Sequence, residues 1–213
     1  MIGIREKALA SLQESGYCVF PEYYTVEEHL CGEVDLLMQD YQYKGGRSHK
    51  TTPHSLSRGL LDIVCSIEIG EVFNTLCDSI ICQDIFMTHD FKNDEMERNM
   101  WLHIDRLRCY KAMVYLTDVD ESCGPFSVVP KSHKNGYFIR NSFKHMSYAN
   151  KPNRIKLDHP HLYEEPLKIC GKKGTLILFD TDIFHMGGKV DDEKERMLIR
   201  SHWFPQYDWR VNS

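Results

Sequence analysis

The chain has 213 residues, of which 42% are hydrophobic and 27% are charged, and its formal net charge is −5. This length and composition are typical of one globular domain with enough chain to bury a sizeable core, so we expect residues 1–213 to form a single domain. An acidic chain without a basic stripe is not a general nucleic-acid binder, because phosphate neutralisation requires clustered cations. No apolar run approaches the roughly 20 residues that a membrane span needs.

The cysteines and the first residues indicate a cellular compartment. Eight cysteines are scattered along the chain without a Cys-x-x-Cys pair, a spacing typical of neither a zinc site nor a disulfide scaffold. Residues 1–7 lack the pattern of a signal peptide. We therefore expect a protein of the reducing cytoplasm.

The first 80 residues predict mainly helices. In chain order the predicted elements are a helix over 4–13, a strand over 17–20, a helix over 25–40, a polar loop over 41–55 and a helix over 57–80. The second helix begins at a sequence that resembles a capping box, and the third carries apolar residues at helical spacing. Gly70 is the point at which the third helix would divide.

From residue 80 onward, short apolar strands and turns predominate. Helices followed by strands favour an α+β domain, in which a double-stranded β-helix (a jelly roll, as in cupins) over about 80–204 is backed by the N-terminal helices. The stretch 135–170 is long and polar and contains three prolines. We expect an irregular crossing loop or a lid there, and we favour a role in substrate recognition because long structureless loops are often functional.

One short motif carries most of the chemical information. His103 and Asp105 are two apart, and side chains two apart on a strand point to the same face. One further imidazole would complete a set of two histidines and one carboxylate, the facial arrangement of non-heme Fe(II) oxygenases. The pair alone is a weak signal, because 11 histidines and 31 acidic residues produce such spacings by chance. A polar strand face with a solvated aspartate is the alternative interpretation.

His185 is the best candidate for the second imidazole. It follows shortly after residues 174–180, which predict a buried strand entered through a glycine turn. The rivals are His202, on the predicted last strand, and His159 and His161, in the polar segment.

The order of motifs between these ligands resembles a known family. After the His-x-Asp pair come an apolar strand over 110–117, a polar turn over 118–125 that ends in Gly-Pro, and Val-Val-Pro-Lys-Ser-His over 128–133. This arrangement resembles the phytanoyl-CoA dioxygenase family of Fe(II)/2-oxoglutarate oxygenases, most strongly over about 80–204. The resemblance implies that Fe(II), 2-oxoglutarate and O2 are the cofactors. It also implies that His103, Asp105 and His185 are the metal ligands.

The same resemblance implies roles for residues near the co-substrate. Arg196 lies eleven residues after His185, where the family places the arginine that binds the far carboxylate of 2-oxoglutarate through its planar, bidentate fork. Arg200 is the alternative, since residues 196 and 200 share a face of one strand. Gln83 is the counterpart of a glutamine that the family carries near the co-substrate, with a surface glutamine as the alternative.

Three arginines are candidates for the substrate site. Arg106 and Arg108 directly follow the metal pair, and Arg106 and Arg200 are the residues that we expect to bind an anionic small molecule. The alternative is that the first two point outward.

The predicted function is that of a dioxygenase that hydroxylates a small molecule and converts 2-oxoglutarate and O2 to succinate and CO2. The presence of Asp105 favours oxygenation, because related halogenases carry a small residue there. The alternative is a non-redox metal-binding jelly roll, either a cupin-like isomerase or a ligand-binding module. Arg196 separates the two hypotheses, because a non-redox site needs no anchor for a dicarboxylate.

Overall fold

The computed structural model describes residues 4–43, 45–92, 101–147 and 150–206. The helices are α1 (Ile4–Ser15), α2 (Glu28–Met38), α3 (Arg58–Val64), α4 (Ile67–Leu76), α5 (His133–Ser142) and α6 (Ile155–Asp158). None of these helices is long and apolar enough to cross a bilayer.

In the described ranges, ten strands form two antiparallel sheets. The strands are β1 (Tyr17–Phe20), β2 (Gln42–Tyr43), β3 (Gly46–Thr51), β4 (Ile80–Asp90), β5 (Tyr110–Tyr115), β6 (Phe126–Val129), β7 (Leu167–Ile169), β8 (Leu176–Asp180), β9 (Phe184–Met186) and β10 (Arg196–Pro205). The large sheet has the order β1-β8-β5-β10-β4-β3-β2, and the small sheet has the order β7-β6-β9. Helices on an antiparallel double sheet form the α+β jelly roll that the sequence predicts.

The central strands β5 and β8 of the large sheet are buried on both faces, and the alternation of side chains divides the residues of this sheet between two cores. On β5, Ala112 and Val114 pack with the helices against the outer face. Met113 and Tyr115, which alternate with them, pack between the two sheets. On β10, Leu198 likewise points between the sheets, whereas Ile199 points toward the helices. Even-numbered positions of β10 therefore face the interior of the jelly roll.

The N-terminal part contains more sheet than its sequence predicts. The predicted loop over 41–55 is wrong, because β2 and β3 extend the large sheet there and a 3-10 turn follows at Pro53–Ser55. The sequence of β3 predicts a loop because its residues are polar. A strand near the sheet edge can be polar, since it is only partly buried. The predicted third helix is two helices, and they separate at Ser66, whose hydroxyl caps α4, and not at Gly70.

The polar segment 135–170 is also more ordered than expected. It contains most of α5, all of α6, a 3-10 turn at Pro160–Leu162, and β7 at the edge of the small sheet. Arg140 fastens α5 to the jelly roll, because its Nε donates to Oδ1 of Asp182 at 2.6 Å and its Nη1 donates to the backbone carbonyl of Asp105. The described part of this segment is therefore packed structure next to the predicted metal pair.

Candidate metal centre

Backbone pairing brings the two predicted histidine ligands together. The N–H of His103 donates to the carbonyl of His185, and the N–H of His185 donates to the carbonyl of His103, each at 2.9 Å. The predicted strand around His103 is wrong, since residues 101–109 are irregular and His103 takes part only in isolated bridges, to His185 and to Arg154. The N–H of Asp105 donates to the carbonyl of Thr181 at 3.2 Å. These contacts fix the loop, and the side chains converge as the spacing predicts.

The imidazoles are oriented for metal binding. Nδ1 of His103 lies 2.6 Å from the carbonyl of Trp101, and Nδ1 of His185 lies 2.8 Å from the carbonyl of Ile183. Because a carbonyl only accepts, each Nδ1 carries the proton and each Nε2 presents a lone pair. Burial, together with the neighbouring His185, lowers the pKa of His103 to about 3. His103 is therefore a neutral ligand at physiological pH.

Asp105 supplies the third donor. Its Oδ1 lies 3.8 Å from Nε2 of His103 and 3.6 Å from Nε2 of His185, and one ligand atom from each residue lies within 4.8 Å of the others. Its Oδ2 accepts from the buried ammonium of Lys111 at 2.5 Å. Burial opposes ionisation of Asp105, but Lys111 and the two imidazoles hold the pKa of this carboxyl well below its usual range. Two imidazoles and one carboxylate fit a divalent iron.

The rival histidines lie elsewhere. Among the described residues, His103, Asp105 and His185 are the group of side chains that could hold a metal ion. His202 lines a cavity on the other side of Lys111. His159 and His161 lie at the 3-10 turn after α6 and do not join the group.

The three ligands line a cavity of about 160 Å³ in the jelly roll, which we call the iron cavity. Arg196 lies in its wall and is deeply buried. Its Nε and Nη2 donate to Oδ2 of Asp90 at 3.0 and 2.6 Å, and its Nη1 donates to the carbonyl of Gly124. Burial disfavours the charged guanidinium, yet the pairing with Asp90 raises the pKa of Arg196 overall. Arg196 is thus a permanent cation that lines the same cavity as the three candidate metal ligands.

Arg200 lines the same cavity four residues further along β10. Its guanidinium lies over the ring of Phe86, 4.4 Å from the centroid. The two arginines share the inward face of the strand, as the sequence predicts, but only Arg196 has a carboxylate partner among the described residues.

Gln83 and Arg106 line a second, larger cavity of about 630 Å³, which we call the cationic cavity. Asp105 and Lys111 form part of both walls, so the two cavities meet at the metal group. Gln83 lies at a β-bulge, because His202 pairs with Asp84 whereas Trp203 pairs with Cys82. The structure therefore separates Gln83 from Arg196.

The walls of the cationic cavity are rich in basic side chains. These are Lys50, Arg106, Arg108, Lys111, Arg140, Lys144 and Lys151. Arg108 is paired with Asp180 at 3.0 Å, and Lys50 with Asp84 at 2.8 Å. Lys144 and Lys151, which the polar segment contributes, have no carboxylate within 4 Å in the described structure.

Sequence reasoning missed Lys111, although its position contained a signal. Residues 110–115 predict a buried strand, and a lysine is almost never fully buried unless it is paired. The alternation along β5 places Lys111 on the same face as Met113 and Tyr115, toward the interior. Asp90 was missed because nothing in its local sequence shows that β4 and β10 pair it with Arg196.

The fold and this site define a class of protein. A jelly roll that presents two imidazoles and one carboxylate in its interior is typical of non-heme iron oxygenases. The chain belongs to the phytanoyl-CoA dioxygenase (PhyH) family, whose model matches residues 50–198. The class is therefore that of Fe(II)/2-oxoglutarate-dependent enzymes, whose cofactors are Fe(II), 2-oxoglutarate and O2. No curated protein matches the chain significantly.

Solved structures share the fold at low sequence identity. HygX from Streptomyces hygroscopicus, solved with nickel, 2-oxoglutarate and hygromycin B, has a TM-score of 0.66 at 14% identity over 94% of this chain and 87% of its own. The epimerase SnoN, solved with Fe3+, alpha ketoglutarate and nogalamycin RO, has a TM-score of 0.68 at 15% identity over 94% and 83%. The carbocyclase SnoK from nogalamycin biosynthesis has a TM-score of 0.64 at 16% identity over 97% and 89%.

Proposed function

We propose that this chain is an Fe(II)/2-oxoglutarate-dependent hydroxylase of an anionic small molecule. The observation that carries the proposal is that two cavities meet at Asp105. The iron cavity is lined by the three metal ligands and Arg196, and the cationic cavity is lined by basic side chains. Family membership supports the oxygenase over a non-redox jelly roll. We propose a cytoplasmic location on the cysteine pattern alone.

The proposed iron ligands are Nε2 of His103, Nε2 of His185 and Oδ1 of Asp105. When bound there, iron with 2-oxoglutarate supplies the activation of O2 and the oxidation of a substrate C–H bond, with succinate and CO2 as products. The protein orients the ligands through the backbone carbonyls that accept from each Nδ1. Such outer contacts raise ligand basicity and fix the ring planes.

Arg196 is the proposed anchor for the far carboxylate of 2-oxoglutarate. A guanidinium has five N–H donors, and the bonds to Asp90 and Gly124 use three of them. One N–H on each terminal nitrogen remains, and these two form the fork that binds a carboxylate bidentately. Ser48 and Thr88 line the same cavity and offer hydroxyl donors.

The cationic cavity is the proposed substrate site. Its volume falls in the range of small-molecule pockets, about 300–1,000 Å³. Lys144 and Lys151 bring positive charge to it from the segment 135–170, which supports the predicted role of that segment in recognition. We place Arg106 there as a substrate ligand, and we now assign Gln83 to the substrate and not to the co-substrate.

Hydroxylation is the outcome that needs its own test, because the structural neighbours include an epimerase and a carbocyclase. Fe(II) and 2-oxoglutarate are first mixed anaerobically with the protein, and a charge-transfer absorption band in the visible range is expected. Anionic metabolites and their neutral amides are then compared for faster succinate release in air. Transfer of labelled oxygen from O2 to the product establishes hydroxylation, whereas a product without the label indicates a different outcome, such as cyclisation or epimerisation. Iron binding without the band and without succinate would contradict the proposal.

A charge-reversed variant tests the cationic cavity. In Lys144→Glu, the metabolite that speeds succinate release should bind at least about tenfold more weakly, because an attractive contact becomes repulsive. Lys134→Glu is the matched control, since Lys134 lies exposed on α5, ten residues before Lys144, and lines neither cavity. If the two substitutions weakened substrate binding equally, the assignment of the substrate to this cavity would be wrong.

A further inference from the structure

The partly buried guanidinium of Arg200 has no anionic partner among the described residues. Its Nε is inaccessible and has no hydrogen-bond partner, and no described carboxylate lies within 4 Å of the group. Burial lowers the pKa of Arg200, and the fields of Asp105 and Asp90 offset this only in part. The ring of Phe86 supports the cation but supplies no negative charge. A cation that is largely shielded from solvent and has no counter-charge is unfavourable, which indicates that a ligand in the cavity completes it.

The carboxylates nearest to Arg200 are already paired with other cations. Asp90 accepts two bonds from Arg196, and Asp105 accepts the bond from Lys111 at 2.5 Å. Among the described residues, the lining of the iron cavity thus contains three cationic side chains and two carboxylates. A divalent iron and a doubly charged 2-oxoglutarate cancel each other, so the positive charge of Arg200 remains when both are bound.

We propose that Arg200 binds a carboxylate, or another oxyanion, of the substrate inside the iron cavity. Arg200 lies on the inward face of β10 between Arg196, at the co-substrate end, and His202, which lines the cationic cavity. A substrate that enters from the cationic cavity therefore meets Arg200 next to the metal group. The inference rests on the proposed function, because the charge balance assumes iron and 2-oxoglutarate. The other source of such a group is the metal-binding carboxylate of 2-oxoglutarate itself.

The test uses Arg200→Met and Arg200→Lys in the full chain. Acetate and its neutral analogue acetamide are the probes, titrated by calorimetry into the anaerobic complex with Fe(II) and 2-oxoglutarate at constant ionic strength. We expect acetate, but not acetamide, to bind the wild type. Arg200→Met should weaken acetate binding by about tenfold or more, and Arg200→Lys should retain part of it. The affinity for 2-oxoglutarate should stay within about threefold in both variants.

Thermal unfolding of the metal-free variants separates a ligand role from a structural one. Removal of a partly buried charge that lacks a carboxylate partner in the described structure should leave the Tm of Arg200→Met unchanged or higher, as is common where function opposes stability. Arg196→Met is the contrasting variant, because it leaves Asp90 buried without its partner and should lower the Tm.

Each result decides the assignment. A loss of acetate binding with intact 2-oxoglutarate binding supports a substrate oxyanion. Weaker 2-oxoglutarate binding with unchanged acetate binding overturns it in favour of the co-substrate. A lower Tm with both affinities unchanged makes Arg200 structural, and the absence of acetate binding in the wild type also overturns the proposal. If the wild type forms no 2-oxoglutarate complex, the proposed function fails, and the acetate titration of the metal-free protein still tests Arg200.

Discussion

The ammonium group of Lys111 lies 2.5 Å from Oδ2 of Asp105, while Oδ1 of the same carboxylate faces the Nε2 atoms of His103 and His185. Lys111 is 5% exposed, so this ion pair is shielded from solvent. The two oxygens of Asp105 thus have different partners. One is reserved for a metal, and the other is held by a cation that comes from the centre of the large sheet.

Replacement of Lys111 should weaken the metal site without removing a ligand. In Lys111→Met, Oδ2 of Asp105 loses its partner and the carboxylate is free to rotate. Loss of such an outer contact typically lowers metal affinity by about 10–100-fold. Competition titration with Co(II), which needs no oxygen-free conditions, measures the change. Lys111→Arg keeps the charge and should lose less; equal losses in both variants would show that the charge is not the cause.

The identity of the second imidazole is tested by a pair of histidine variants. His185→Ala should abolish the visible band of the Fe(II)/2-oxoglutarate complex, because only two ligands remain. His202→Ala is the control, since His202 lies in the cationic cavity and outside the metal group. If His202→Ala lost the band and His185→Ala retained it, His202 and not His185 would be the second imidazole ligand.

The ion pair between Arg196 and Asp90 links co-substrate binding to stability. Arg196→Met should abolish measurable 2-oxoglutarate binding and lower the free energy of unfolding by about 3–5 kcal/mol, the typical cost of breaking a buried pair. Asp90→Asn added to this variant removes the orphaned charge. Urea unfolding should then show part of the stability restored, while 2-oxoglutarate binding stays lost. If the Arg196→Met protein still bound 2-oxoglutarate, the role of Arg196 would be limited to the ion pair with Asp90.

The metal-free protein should lose stability in mild acid. The pKa of His103 falls from 6.5 to about 3 on folding, so below pH 6.5 the unfolded chain binds a proton that the folded chain does not. Stability from this group is complete above about pH 6.5 and is lost as the pH falls toward 3, with about 2 kcal/mol lost at pH 5. Burial also lowers the pKa of His202 well below its usual range, which adds to the loss.

Urea unfolding at two pH values checks this dependence. The free energy of unfolding of the metal-free wild type is compared at about pH 7.5 and pH 5 with that of His103→Gln, which cannot titrate. The variant should show a smaller difference between the two conditions. Equal differences would assign the pH dependence to other groups.

The amino-acid sequence determined the local chemistry of this protein. The spacing of His103 and Asp105, the glycine turn before the strand that delivers His185, and the position of Arg196 are all readable along the chain, as is the α+β jelly roll. These features depend on short-range periodicity and on residue types, such as histidine and arginine, that have few other roles in such positions. They were sufficient to indicate the family, and the match over residues 50–198 shows it.

Only the tertiary structure decided which charges meet. Asp90 meets Arg196 across two strands that are far apart in sequence, so this pair depends on sheet register. Lys111 lies only six residues from Asp105, but the two meet because backbone bonds to Thr181 and His185 hold the irregular loop 101–109 against the sheet. In the described part of the chain, the same register pairs Arg200 with no carboxylate, and a β-bulge places Gln83 at the cationic cavity. A partly buried strand such as β3 gains its structure from its neighbour, β4, and not from its own polar residues. Electrostatics and edge pairing are long-range properties, and a linear pattern does not encode them.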